Sequence, residues 1–361
     1  MHIRKHHSAV TQATVIVVIG FLFCFSSGSV SAQNGSARVA SLGQKESADQ
    51  ATDDKAANSK SSADENASKA VSNAGPGPVY GEPVEFQWRT IAKAVAVDSD
   101  VEGLFITLPI PEDWPEQTVI KGEEEIPFDV TGVEIRKLPT APQQLLAAMP
   151  RLSKSSTAVF SLTYNISVRP TLPPDDTDQY VIPGKLDKTM KTWLDDSPGI
   201  SHKDSRLRSA VKDIFEETDK DWNKVGKIKD WISNNIAISN QENADAPLTL
   251  KTESGTVENR LRLFVAMCRA AKIPARMVWA HGNDHAEFYL EDAIGTGYWF
   301  PCHISNGIAL GADPKPGVVQ QKGDHFRVPE KKEELNFVNG FASAKGKSRP
   351  AIGFAEGLVQ E

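Results

Sequence analysis

The chain has 361 residues, 40% hydrophobic and 24% charged, enough to build more than one folded domain around a buried core. Its formal net charge of -7 argues against a nucleic-acid binder held by bulk phosphate attraction. Three cysteines are too few for a disulfide scaffold or a four-cysteine zinc site.

Residues 1–32 read as an export signal. A basic start (His2, Arg4, Lys5, His6, His7) precedes an apolar run from Val15 to Phe25, then small residues leading to Val30-Ser31-Ala32, the pattern that signal peptidase accepts. That run is shorter than the ~20 residues of a membrane span. Cleavage after Ala32 is expected, with an uncleaved anchor as the alternative. The mature protein is expected in the periplasm or outside the cell, with Cys268 and Cys302 as its two thiols. Residues 33–79 are rich in Ala, Ser, Asp, Lys, Asn and Gly and nearly lack larger apolar side chains. Nothing there offsets the entropy of ordering, so a disordered linker is expected.

A β-rich domain is expected over residues 80–170. Val84, Phe86 and Trp88 alternate, Leu104 to Leu108 is a second apolar run, and Ala158, Phe160, Leu162, Tyr164, Ile166 and Val168 form a third face with period two. Such alternation predicts half-buried antiparallel strands of a small β-sandwich. Gln143 to Met149 reads as one short helix. Over residues 171–340 helical spacing takes over: Leu207, Val211, Ile214 and Phe215 share one face, and Trp222, Val225, Ile228, Ile232 and Ile236 another. A third helix runs from Val257 to Ala271 with Thr256 as its N-cap, and Ile273-Pro274 ends it. Met277 to Ala280, Ala286 to Leu290 and Tyr298 to Cys302 then read as strands. Helices followed by strands predict an α+β domain, and residues 341–361 are expected to be a C-terminal tail.

Gly255-Thr256-Val257, the helix through Leu263-Phe264-Val265-Ala266-Met267, and Arg269-Ala270-Ala271-Lys272-Ile273-Pro274-Ala275-Arg276 resemble the transglutaminase-like superfamily. His285-Ala286-Glu287-Phe288-Tyr289-Leu290 and Tyr298-Trp299-Phe300-Pro301 extend the resemblance. It implies a papain-like cysteine-protease fold, with helices on an antiparallel sheet. It also implies a cysteine at the N-terminus of the central helix, a histidine on the following strand and an aspartate on the next. A helix N-terminus lowers a thiol pKa and offers backbone N–H groups to an oxyanion, which suits acyl transfer through a thioester.

This sequence departs from that pattern. The cysteine position is Val257 and the aspartate position is His303; the histidine position falls on Asn283, or on His285 two residues on if a two-residue deletion restores it there. Cys268 lies about three turns into the helix on its apolar stripe, and Cys302 neighbours His303 but alternates to the opposite side of the strand.

The expected function is therefore a non-catalytic exported protein that binds a peptide or protein partner through the residual cleft, with His285, Glu287 and Trp299 as contacts and no cofactor. One alternative is an active cysteine peptidase or transglutaminase-type acyltransferase with a displaced Cys/His pair. Another is a metal hydrolase using His281, His285 and His303.

Overall fold

The computed structural model describes residues 77–305 and 307–359; the expected export signal, and the linker up to residue 76, lie outside the described residues. The chain is built from β1 (Val79–Tyr80), β2 (Val84–Val95), β3 (Val101–Pro109), β4 (Gln117–Glu125), β5 (Gly132–Leu138), β6 (Ala141–Leu152), β7 (Thr157–Val168) and β8 (Thr171–Leu172). Then come α1 (Lys188–Lys191), α2 (Ser205–Ile214), α3 (Asp221–Asn235), β9 (Ala237–Ile238), α4 (Ala246–Thr252), β10 (Ser254–Gly255) and α5 (Val257–Ala270). The order ends with β11 (Ala275–Ala280), β12 (His285–Glu291), β13 (Gly297–Cys302), β14 (Val319–Lys322), β15 (Phe341–Lys345) and β16 (Ala351–Leu358).

Two four-stranded antiparallel sheets, β15-β3-β6-β5 and β16-β2-β7-β4, form a sandwich. The period-two face of β7 is buried along its whole length, and Trp88, Leu104, Ile106 and Leu108 join it in one core. Burying a side chain of this size contributes about 1.5–3 kcal/mol.

Three expectations are corrected here. Gln143 to Met149 lies in strand β6, not a helix, because Leu145 pairs with Leu108 on one side and Ile135 on the other; the two ladders outweigh the helix propensity of Leu, Ala and Met. Residues 77–79, assigned to the linker by composition, belong to the folded unit. Val79 pairs with Leu172, and Gly77 N–H donates to the Tyr180 hydroxyl at 3.0 Å. Residues 341–358 supply an outer strand to each sheet rather than a tail. The β16 segment, with exposed Phe354 and Leu358, is too weakly apolar to read as a strand alone and is held by its eight-position register with β2.

Deleting residues 341–361 should therefore lower the melting temperature by at least about 5 °C and promote aggregation through the bared edges of β2 and β3. Thermal melts with light scattering test this; an unchanged transition would make the segment dispensable.

The second layer is α+β. The sheet β13-β12-β11-β14 packs against α5, and α2, α3 and α4 surround that helix. The apolar faces of α2 and α3 read from spacing are the buried ones: Leu207, Val211, Val225, Ile228 and Ile232 enter the same core as Phe264, Phe288 and Phe300. Helix α5 is buried from Asn259 to Arg269, as expected of a central helix covered on all sides.

Candidate functional site

The α5 N-terminus is tightly built. Thr256 Oγ1 accepts from Asn259 N–H at 3.2 Å, and Asn259 Oδ1 accepts from Thr256 N–H at 3.2 Å, a complete capping box. Asn259 also holds the 243 loop, accepting from Asn243 N–H at 2.9 Å and donating to its carbonyl at 3.0 Å. Gly255 has to be glycine, since a Cβ there would lie 2.8 Å from Asn259 Cβ. On this scaffold sits Val257, 53% exposed and without a nucleophilic atom. Thr256 is committed to the cap.

Both thiols among the described residues are sealed. Cys268 and Cys302 are free, fully buried and part of the apolar core, and burial pushes both pKa values up. A thiol in this setting is inert.

The histidine half of the site does assemble. His285 opens β12 and His303 follows β13; their rings lie 4.9 Å apart, with 4% and 6% exposure. Asn283 joins the group at the turn before β12. Its carbonyl lies 3.0 Å from His285 Nδ1, and its side-chain amide donates to Asp313 Oδ1 at 2.8 Å. His303 Nε2 lies 3.2 Å from the same oxygen. Burial, then the neighbouring His303, lowers the His285 pKa, so the ring is neutral at neutral pH. Burial alone would raise the Asp313 pKa, but its hydrogen bond with His303 and the nearby His285 hold it lower. Asp313 thus puts a carboxylate beside the histidine that occupies the aspartate position. Its loop signal, Gly311-Ala312-Asp313-Pro314, reads as a turn and carries no hint of this role.

His281 does not join the group; it is exposed and packs edge-on to Trp88, with ring centroids 5.1 Å apart. Asp313 takes the third place in the cluster that the sequence reading gave to His281. Glu287, expected as a ligand contact, is 4% exposed and already satisfied. Arg276 Nε donates to it at 2.7 Å and Lys322 Nζ at 2.5 Å. Burial opposes its charge, but Arg276 and Lys322 overcome this and bring its pKa to about 2. Lys322 also reaches Glu116 at 2.5 Å. Trp299 stacks on the Arg276 guanidinium at 4.1 Å, and Trp193 meets Trp299 edge-on at 6.0 Å.

Two spaces flank this charged cluster. Beside Tyr80, Glu116, His285, Glu287 and Asp313 is a cavity of about 20 Å³, room for about one water; Val257 does not line it. On the Arg276 and Lys322 side, a groove of about 270 Å³ is walled by Trp114, Trp193, His325 and Phe326. Trp114 Nε1 is buried without a hydrogen-bond partner among the described residues. A wider hollow of about 500 Å³ between α2 and α3 is lined by none of the candidate site residues.

Residues 208–323 match the model of the transglutaminase-like superfamily. The fold is similar to that of a candidate cysteine protease from Cytophaga hutchinsonii, with a TM-score of 0.50 and 16% identity over 79% of this chain and 93% of that one. A candidate protease from Parabacteroides distasonis matches at a TM-score of 0.23 and 13% identity, over 64% of this chain and 49% of that one. No curated protein sequence matches the chain.

Proposed function

From the premise that residues 208–323 form a transglutaminase-like domain, we propose that this chain is an exported binding protein that has given up thiol-based acyl transfer and holds a peptide or protein partner. The observation that carries the reading is the α5 N-terminus, where an intact cap presents solvent-exposed Val257 in place of a thiol. Cys268 and Cys302 are locked in the core, so no other sulfur among the described residues replaces it.

The cavity beside His285 holds about one water and no peptide. The groove on the Arg276 and Lys322 side, where Trp114 and Trp193 offer rigid aromatic faces, supports the reading that the partner binds there.

Panning a displayed peptide library against the protein tests this. Selected peptides should lose at least about tenfold in affinity with Trp193→Ala, as aromatic anchors do, while its circular dichroism stays that of the parent. The unmutated protein should neither transamidate nor hydrolyse glutamine-containing peptides. Turnover that iodoacetamide stops, and that Cys302→Ser removes, would replace this reading with a displaced-dyad enzyme.

A further inference from the structure

We propose that His285, His303 and Asp313 form a binding site for one divalent transition-metal ion, with zinc the best match to the donor set. Each offers one ligand atom, all three atoms lie within 4.8 Å of one another, and all three residues are buried. The His303 Nε2–Asp313 Oδ1 edge is already 3.2 Å. Metal–ligand bonds near 2.0 Å in a tetrahedral site put ligand atoms about 3.3 Å apart. The inference does not depend on the binding reading above.

The surroundings are those of a ligand set. Metal-binding imidazoles commonly donate the non-ligating N–H to a carbonyl, which fixes the tautomer. His285 Nδ1 has the Asn283 carbonyl at 3.0 Å, leaving Nε2 as the lone-pair donor. The Asn283 amide donates to that same Asp313 oxygen at 2.8 Å, orienting the carboxylate while a second lone pair on the oxygen stays open to a cation. Asp313 is also fixed by its backbone: its N–H donates to Thr171 O at 2.8 Å, and its carbonyl accepts from Thr171 N–H at 3.0 Å. The cavity of about 20 Å³ beside His285 and Asp313 accommodates one water as a fourth ligand. Two nitrogens, one carboxylate and one water fit four-coordinate zinc.

Such an ion would tie β12 and the end of β13 to the 313 loop, which is itself paired with β8 beside the sandwich. Occupancy would therefore stabilise the fold, because the assembled ligand set exists in the folded state alone.

The full untagged chain, stripped with a chelator, is titrated with zinc chloride by calorimetry and with cobalt chloride by visible spectroscopy. One equivalent of zinc should bind and raise the melting temperature, and cobalt should give the intense d–d bands of a four-coordinate site. His303→Ala and Asp313→Asn should each weaken zinc binding at least about tenfold and abolish the cobalt bands. His281→Ala should bind as the parent does. Absence of zinc binding by the unmutated protein would overturn the proposal. So would binding that survives both ligand substitutions, which would assign the metal to other histidines such as those before residue 8. If a ligand variant fails to fold, the unmutated protein decides alone, since octahedral cobalt bands or no rise in melting temperature would equally refute the site.

Discussion

Arg269→Ala should destabilise the protein by about 3–5 kcal/mol, because it strands a buried carboxylate without its partner. Arg269 Nη2 donates to both Asp324 oxygens, at 2.7 and 2.9 Å, and neither side chain is exposed. The same guanidinium donates to the Ala275 carbonyl from Nε and Nη2, and from Nη1 to the Asp195 carbonyl and Ser197 Oγ. It thus joins the end of α5 to the start of β11 and to the 195 loop. Asp324→Asn should cost less, since the amide keeps one acceptor.

Replacing the pair by Met and Leu should recover much of the loss, as buried pairs exchanged for apolar groups often do. A double-mutant cycle in urea measures the coupling; a single-variant cost below about 1 kcal/mol would show that water replaces the lost partner. The pH dependence has a definite sign. Burial would raise the Asp324 pKa, but Arg269 and His325 hold it below the ordinary value, and Glu287 is held at about 2. Both contributions are complete above the unfolded carboxylate range near pH 4 and are lost as pH falls through the folded values. Urea midpoints should therefore drop steeply between about pH 4 and pH 2.

Val257→Cys, made in a chain beginning at Gln33, should convert a protein inert to iodoacetamide at pH 7 into one alkylated at a single residue, a rate increase of at least about a thousandfold. In the parent, Cys268 and Cys302 are reached only through opening of the core. The introduced thiol would be exposed at a capped helix N-terminus, which lowers its pKa. Peptide mapping after a short pulse identifies the modified residue. A reactive parent, or an unreactive variant of native melting temperature, would contradict the placement of Val257.

Alkylation should come without acyl transfer, since a thiolate lacking a positioned acid cannot protonate a leaving amine. Adding Asn283→His and His303→Asp rebuilds the superfamily pattern and is the version expected to turn over weakly. In doing so it removes two members of the Asn283–His303–Asp313 group.

Much of the second layer was legible because its elements carry local signals. The α5 cap at Thr256, the apolar stripes of α2 and α3 and the three strands after Pro274 are written in spacings of three, four and two residues. The partial site was legible for the same reason. Val257, Asn283, His285 and His303 follow from counting along motif segments, and the last three do meet in space. Asp313 and Lys322 were not legible, because each acts across ten or more residues from its partner and neither lies in a motif. Glu287 was legible as a position but not in its role. That role depends on Arg276 of the adjacent strand and on Lys322 of β14, which no periodicity announces.

By itself the sequence determined the α+β class, the order of the central helix and its following strands, and the absence of sulfur at the helix N-terminus. Each of these is a property of consecutive residues. Tertiary structure decided that Gln143 to Met149 is a strand, that residues 341–358 close both sheets, and that a carboxylate from a turn completes the histidine pair. Those outcomes depend on backbone ladders and charge pairs between segments far apart in the chain. Their energies outweigh local propensities of a few tenths of a kcal/mol per residue.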